Sequence, residues 1–195
     1  NDNYIIWLPA IKAIDYMHYY SNDLIEGLDY ELFLTFLNNE VEEISELVAE
    51  SLINILACQN STVFFVDKYD IINKLVYIRS IETSYSVKKN AIEAISNAIL
   101  CSPTYLLPSF IKSGCISELI SSFFIDNNEV LCKGIESLDI LLSQRVLDEQ
   151  DNDITEIEFI NNFDESCLIE IQNNEDEKVK LIFERLISNH PDYFQ

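Results

Sequence analysis

Lys88 to Leu100 reads KKNAIEAISNAIL and, with Val87 just ahead of it, decides the fold. Val87, Ala91, Ala94, Ile95, Ala98 and Ile99 recur at helical spacing, the pattern of a helix that buries one side against neighbours. Two other stretches share its phase: Ser45 to Leu56 (SELVAESLINIL) and Cys132 to Leu142 (CKGIESLDILL). Val48, Ala91 and Gly134 are 43 positions apart, as are Glu50, Glu93 and Glu136. Asn54 and Asn97 keep the same interval. Stepping back 38 from Val48 reaches Ala10, within Pro9 to Ile14, and stepping forward 48 from Gly134 reaches Ile182, within Lys178 to Ile187.

Between these stretches lie shorter apolar segments that read as second helices of each unit: Leu28 to Leu37, Asp70 to Ile78, Ile116 to Phe124 and Leu168 to Gln172. Asn38–Asn39, Ser84–Tyr85–Ser86 and Asp126–Asn127–Asn128 supply turns before the next long helix. Ser113–Gly114 fits a break where glycine takes a positive φ. Ser102–Pro103 reads as an N-cap with Pro at the first helical position, and Pro108 either kinks the following helix or marks its true start. A period near 42 residues with two or three helices per unit is the armadillo/HEAT signature. The expected fold is all-α, a right-handed armadillo-repeat superhelix (α-solenoid) of about five repeats. Its units run roughly 1–22 (partial), 23–57, 58–100, 101–143 and 166–195. The segment 144–165 carries eight acidic residues against Arg145 alone, and reads as a partly mobile acidic loop with one helical turn at most.

Composition agrees and excludes other classes. Of 195 residues, 48% are hydrophobic, enough for a core. Three Gly and four Pro are too few for the tight turns of a β-sandwich or barrel. Asp and Glu number 34 against 12 Lys and Arg, a net charge of -22. A field of that sign repels phosphate, so nucleic acid and anionic membranes are poor partners and basic peptides are the natural opposite. No apolar run reaches the roughly 18 residues of a membrane span. Asn1 to Tyr4 show no basic n-region of a signal peptide, and the chain reads as a segment of something longer. Cys58, Cys101, Cys115, Cys132 and Cys167 are odd in number and without a C-x-x-C pair, which suits reduced thiols rather than a disulfide frame or zinc site.

Val87 to Ala98 (VKKNAIEAISNA), Lys112 to Leu119 (KSGCISEL) and Glu165 to Phe194 (ESCLIEIQNNEDEKVKLIFERLISNHPDYF) together resemble the C-terminal half of importin α, the armadillo-repeat adaptor of nuclear import. By register these are repeats six to ten. The resemblance implies a concave groove lined by third helices, in which Trp faces sandwich Lys or Arg stems and Asn amides hold an extended peptide backbone. It also implies basic signal-bearing cargo, importin β bound through a segment not in these rows, a recycling export receptor of the importin β superfamily, and shuttling between cytoplasm and nucleus.

At the family's Trp phase this chain has Lys12, Glu50, Glu93 and Glu136, and at its Asn phase Tyr16, Asn54, Asn97 and Ile140. The only Trp, Trp7, lies outside the phase. The candidate groove residues are therefore Lys12, Tyr16, Glu50, Asn54, Glu93, Asn97 and Glu136. Third helices stack about 10 Å apart and alternate residues of an extended peptide about 6.6–7 Å, so carboxylates in a row can meet basic side chains only in rough register. One exposed pair gives about 0.2–1 kcal/mol, so several must act together. Glycines stand singly, without a phosphate loop, and no local signature of a catalytic constellation accompanies His18 or His190, which read as surface or packing residues. No enzyme activity, cofactor or metal is expected. The aromatics Phe64, Phe65, Tyr69, Tyr77, Phe123 and Phe124 read as core or convex-face packing. The rival reading is an armadillo scaffold for protein–protein contacts that no longer reads cargo signals.

Overall fold

The computed structural model describes residues 4–21, 24–80 and 84–194, so the unit boundary expected at 22/23 lies outside the described residues. Among them the regular structure is helical, apart from one isolated bridge between Leu147 and Asp153. The chain divides into two compact units, residues 1–102 and 103–195.

Unit 1 holds α1 (Tyr4–Tyr20), α2 (Tyr30–Thr35, prolonged by a 3-10 turn, Phe36–Asn38), α3 (Glu42–Ile55), α4 (Gln59–Tyr69), α5 (Ile71–Ser80) and α6 (Tyr85–Cys101). Local chemistry sets the boundaries. Asp29 caps α2 by accepting from the Leu32 N–H at 3.0 Å, and Ser84 caps α6 by accepting from Val87 N–H at 3.3 Å. Asp70 takes the left-handed conformation (φ 51°) that ends α4 and lets α5 begin at once. α3 packs against both α1 and α6, and α5 against α6. The small residues Ala91, Ala94 and Ala98, all buried, allow α6 to approach closely, while Val48, Leu52, Ile55, Ile92 and Ile95 fill the core. Phe65 is fully buried beside Tyr30, with Phe64 and Tyr69 half-buried around it, whereas Tyr77 is exposed.

Unit 2 opens with a 3-10 turn (Thr104–Leu106), then α7 (Leu107–Lys112), α8 (Cys115–Ile120), a second 3-10 turn (Ser121–Phe124), α9 (Asn128–Leu142), α10 (Ile154–Asn162), α11 (Glu165–Asn173), α12 (Glu177–Asn189) and a closing 3-10 turn (Pro191–Phe194). Pro108 stands in the first turn of α7 and marks its start, and Gly114 has φ +84° between α7 and α8. The cap expected at Ser102–Pro103 is not made: the Ser102 hydroxyl donates back to the Ala98 carbonyl at 2.7 Å, and the helix after Pro103 is only the 3-10 turn. Gly134 of α9 lies so near the turn after α8 that a β-carbon there would be 2.3 Å from Ser122 Oγ and 3.0 Å from Ser122 Cβ. α12 packs on α9, and α10 on α8. Phe123 is buried and Phe124 exposed.

The acidic segment 144–165 contains more order than the one helical turn expected of it. Asp148 accepts from the backbone N–H of Gln150 and Asn152 and from the Asn152 side chain, closing a tight loop. Asp153 then caps the nine-residue α10. Thr155 and Phe159 are its buried face. Only two apolar-side contacts in a run of acids left that periodicity too faint to read from sequence.

All five cysteines are free; Cys115, Cys132 and Cys167 are buried and Cys58 and Cys101 half-buried. No helix among the described residues is long and apolar enough to cross a membrane.

Candidate functional site

In unit 1 the residues proposed for the groove stand on α1, α3 and α6, whose packing places α3 between the other two. Glu50 is exposed on α3 and Glu93 half-buried on α6. Burial raises the Glu50 carboxyl above the ordinary range, and the charges of Asp15, Glu46 and Glu93 push it further up, with only Lys89 opposing. That is the electrostatic mark of carboxylates from three helices turned toward one another. Asp15 is itself raised by burial, although it accepts a hydrogen bond from Ser51 at 3.0 Å that ties α1 to α3. Glu46 and Lys89 were not singled out from the sequence. They are also 43 apart, one turn ahead of Glu50 and Glu93, so the same phase applied one turn earlier would have found them.

Lys12 is exposed and bonded to Glu43 of α3 at 2.8 Å, so its charge is directed to a neighbouring helix. Tyr16 is exposed, its ring 4.6 Å from that of Tyr20, which in turn packs edge-on to Tyr19. Asn54 is half-buried. Asn97 is buried, and its amide donates to the Ile53 carbonyl at 2.9 Å. Ile53 lies in the last turn of α3, where carbonyls lack helical partners, so Asn97 acts as a C-terminal cap supplied by the next third helix. One of the two Asn97 amide N–H donors is thus spent within unit 1, leaving one N–H and the acceptor oxygen for a ligand. The ends of α3 and α6 also border a cleft of about 550 Å³ lined by Asn39, Glu40, Glu42, Ser45, Ser84 and Val87.

Unit 2 treats the same repeat position differently. Glu136 of α9 is half-buried and pairs with Arg185 of α12, Nη2 to Oε1 3.7 Å. Asp139, one turn on, accepts from His190 at 2.8 Å, from Asn189 at 3.1 Å, and lies 3.8 Å from Arg185. His190 is thereby a packing residue that fastens the end of α12. These partners are 46 to 51 positions away, outside the repeat phase, and no sequence signal named them.

Two buried ionisable groups lie off these faces. His18 is wholly enclosed; its Nε2 is 3.3 Å from the Tyr30 hydroxyl, which accepts from the Ile25 N–H at 2.8 Å, while Nδ1 has no partner among the described residues. Burial lowers its pKa to about 4. Glu158 of α10 approaches the start of α8, where its carboxylate accepts from the Ile116 N–H; burial outweighs that bond and raises its pKa to about 7. Among the described residues no group of three ligand-type side chains could hold a metal ion.

No protein-family model matches this sequence, and no curated protein is similar to it. Solved structures do match. An engineered protein aligns with a TM-score of 0.62 at 20% identity, covering 82% of this chain and 62% of its own length. A designed armadillo-repeat protein in complex with the peptide (KR)4 aligns with a TM-score of 0.62 at 16% identity, over 82% of this chain and 63% of that one. Another designed armadillo-repeat protein gives 0.61 at 15% identity over 93% and 92%. The chain thus spans less than two thirds of the length of the first two. At these identities the likeness carries the fold alone: the chain has an all-α fold of armadillo type.

Proposed function

We propose that the chain is a peptide-binding armadillo module and that basic segments of other proteins bind the face made by α1, α3 and α6. The observation that carries this reading is the convergence on Glu50 of the negative charges of Asp15, Glu46 and Glu93, from three helices, which together with burial raise its carboxyl. A Lys- or Arg-rich strand laid across them would relieve that repulsion, and a structural neighbour of the same fold is a designed protein in complex with an alternating Lys–Arg peptide. In the finer form of the proposal the module is an importin α-like nuclear import adaptor. Its ligands are nuclear localisation signals, its further partners importin β and an export receptor, and its range cytoplasm and nucleus.

With no indole faces at Glu50 and Glu93, charge must supply most of the affinity, so binding should weaken steeply with salt. Titration of a fluorescent (KR)4 peptide at low and high ionic strength tests this. Binding at low salt that fades at high salt is expected, and absence of binding at low salt overturns it. A second reading, a scaffold contacted through other surfaces, is favoured by one Asn97 amide donor being spent on Ile53. It predicts that partners recovered by the chain are unaffected when Asn54 and Asn97 are both changed to Ala.

A further inference from the structure

The 43-residue interval holds one more matched pair beyond Asn54 and Asn97: Cys58 and Cys101, four residues further on in each repeat. Both thiols are free and half-buried, whereas Cys115, Cys132 and Cys167 are buried. Cys101 closes α6, and Cys58 stands in extended backbone (φ -125°, ψ 129°) as the cap residue ahead of α4. Two contacts bring these segments of unit 1 together. The Asn97 amide meets the Ile53 carbonyl at 2.9 Å, which lays the last turns of α6 along the end of α3, and α4 packs on α6. Cys101 is one turn beyond Asn97, and Cys58 follows Ile53 by five residues. The thiols also feel one another: burial pushes the Cys101 thiol above its ordinary range, and Cys58 pushes it further.

We infer that Cys58 and Cys101 form a redox-modification site of unit 1, a dithiol that peroxide closes to a disulfide joining the end of α6 to the turn between α3 and α4. Peroxide reaches the half-buried pair ahead of the three buried thiols. The Cys58 sulfur, as thiolate, attacks one peroxide oxygen. The O–O bond breaks, a sulfenic acid forms, and the leaving hydroxide takes up the thiol proton as water. Cys101 holds its proton more tightly than an ordinary thiol and is the resolving partner. Its sulfur attacks the sulfenic sulfur; the S–S bond forms, the S–O bond breaks, and the Cys101 proton leaves with the hydroxyl as a second water. Two thiols are oxidised and one peroxide is reduced. Each of two adjoining repeats gives one sulfur, so the bond ties those repeats together and constrains the end of α6 on which Asn97 stands.

Hydrogen peroxide added to the folded chain, followed by N-ethylmaleimide under denaturing conditions and peptide mass spectrometry, tests the site. Expected is the loss of two of the five alkylatable thiols, one cross-linked peptide pair holding Cys58 and Cys101, and recovery of all five thiols with dithiothreitol. Cys101→Ser should leave Cys58 as a sulfenic acid that dimedone labels and that the parent chain does not accumulate. Cys58→Ser should abolish the cross-link and leave Cys101 alkylatable. The peptide map of the parent chain needs neither variant, so a variant that fails to fold leaves the test standing. Five thiols still alkylated after peroxide, a cross-link through Cys115, Cys132 or Cys167, a disulfide only between two chains, or oxidation of Cys58 past the sulfenic acid without a cross-link overturns the inference.

Discussion

The junction of α3 with α6 in unit 1 and that of α9 with α12 in unit 2 hold the same place in the repeat, yet they dispose of charge in opposite ways. In unit 1 the carboxylates of Glu46, Glu50 and Glu93 face one another with Lys89 alone opposing Glu50. In unit 2 Glu136 and Asp139 are consumed by Arg185, Asn189 and His190. Helix-to-helix bonding differs in the same sense: a neutral amide, Asn97 to Ile53, ties α3 to α6, and an ionic cluster ties α9 to α12. Repeat register fixes where a side chain stands, while the neighbouring helix decides whether it is left for a ligand or used to hold the array.

The largest expected effect is on packing. Gly134→Ala places a methyl group 2.3 Å from Ser122 Oγ and 3.0 Å from its Cβ. Overpacking of that kind costs about 1–3 kcal/mol, more than the ~1 kcal/mol of helix propensity gained, so chemical denaturation should show unit 2 weakened. Hydrogen exchange of α9 should accelerate while α6, whose equivalent Ala91 is already accommodated, stays protected. Equal acceleration of both helices would erase the distinction between the units.

Acidity should then separate them. His18 in unit 1 has a folded pKa near 4 against an ordinary 6.5, so between those values the unfolded chain holds the proton and the folded chain does not. Its contribution is complete above pH 6.5 and lost as pH falls toward 4. Trp7, the only Trp and 4.9 Å from Phe36, reports unit 1, and melts followed by its fluorescence should drop through that window. His18→Leu should flatten the drop. Glu158 in unit 2 has the opposite sign: its folded pKa near 7 exceeds the ordinary 4.5, so its contribution is complete below pH 4.5 and lost as pH rises through 7. Glu158→Gln, which can still accept from the Ile116 N–H, should stabilise unit 2 above pH 7 by about 1 kcal/mol once solvent screening is allowed for. Slower exchange of α8 and α10 amides would show it; a loss of protection would mean that the charge itself holds α8.

A smaller change should mark the junction in unit 1. Asn97→Ala leaves the Ile53 carbonyl without its donor and should cost about 1 kcal/mol, read as a lower denaturant midpoint in the Trp7 signal. Glu50→Gln should lower the affinity for (KR)4 a few-fold, the scale of one screened charge pair, while Glu136→Gln should leave it unchanged.

Much of the fold was legible because its signal is periodic. Buried positions on α3, α6 and α9 repeat every 43 residues, and Ser84, Gly114 and Asn127 serve as the turn and cap residues read from them. α10 was not legible, since its buried face is only Thr155 and Phe159 in an acidic stretch. At the candidate site the phase located Glu50 and Glu93 on adjoining helices, but periodicity is silent on partners. It could not tell that Asn97 would be spent on a carbonyl 44 residues away, or that Glu136 would meet Arg185. Such contacts depend on where long side chains reach between helices, which spacing along the chain does not encode.

Isotope-resolved side-chain and amide shifts of the chain titrated with (KR)4 at low salt measure the central contrast most directly. The carboxyl signals of Glu46, Glu50 and Glu93 should move together and saturate, while those of Glu136 and Asp139 stay where they are. Movement centred on Glu136 and Asp139, or none at Glu50 and Glu93, would contradict the assignment of the open face to unit 1.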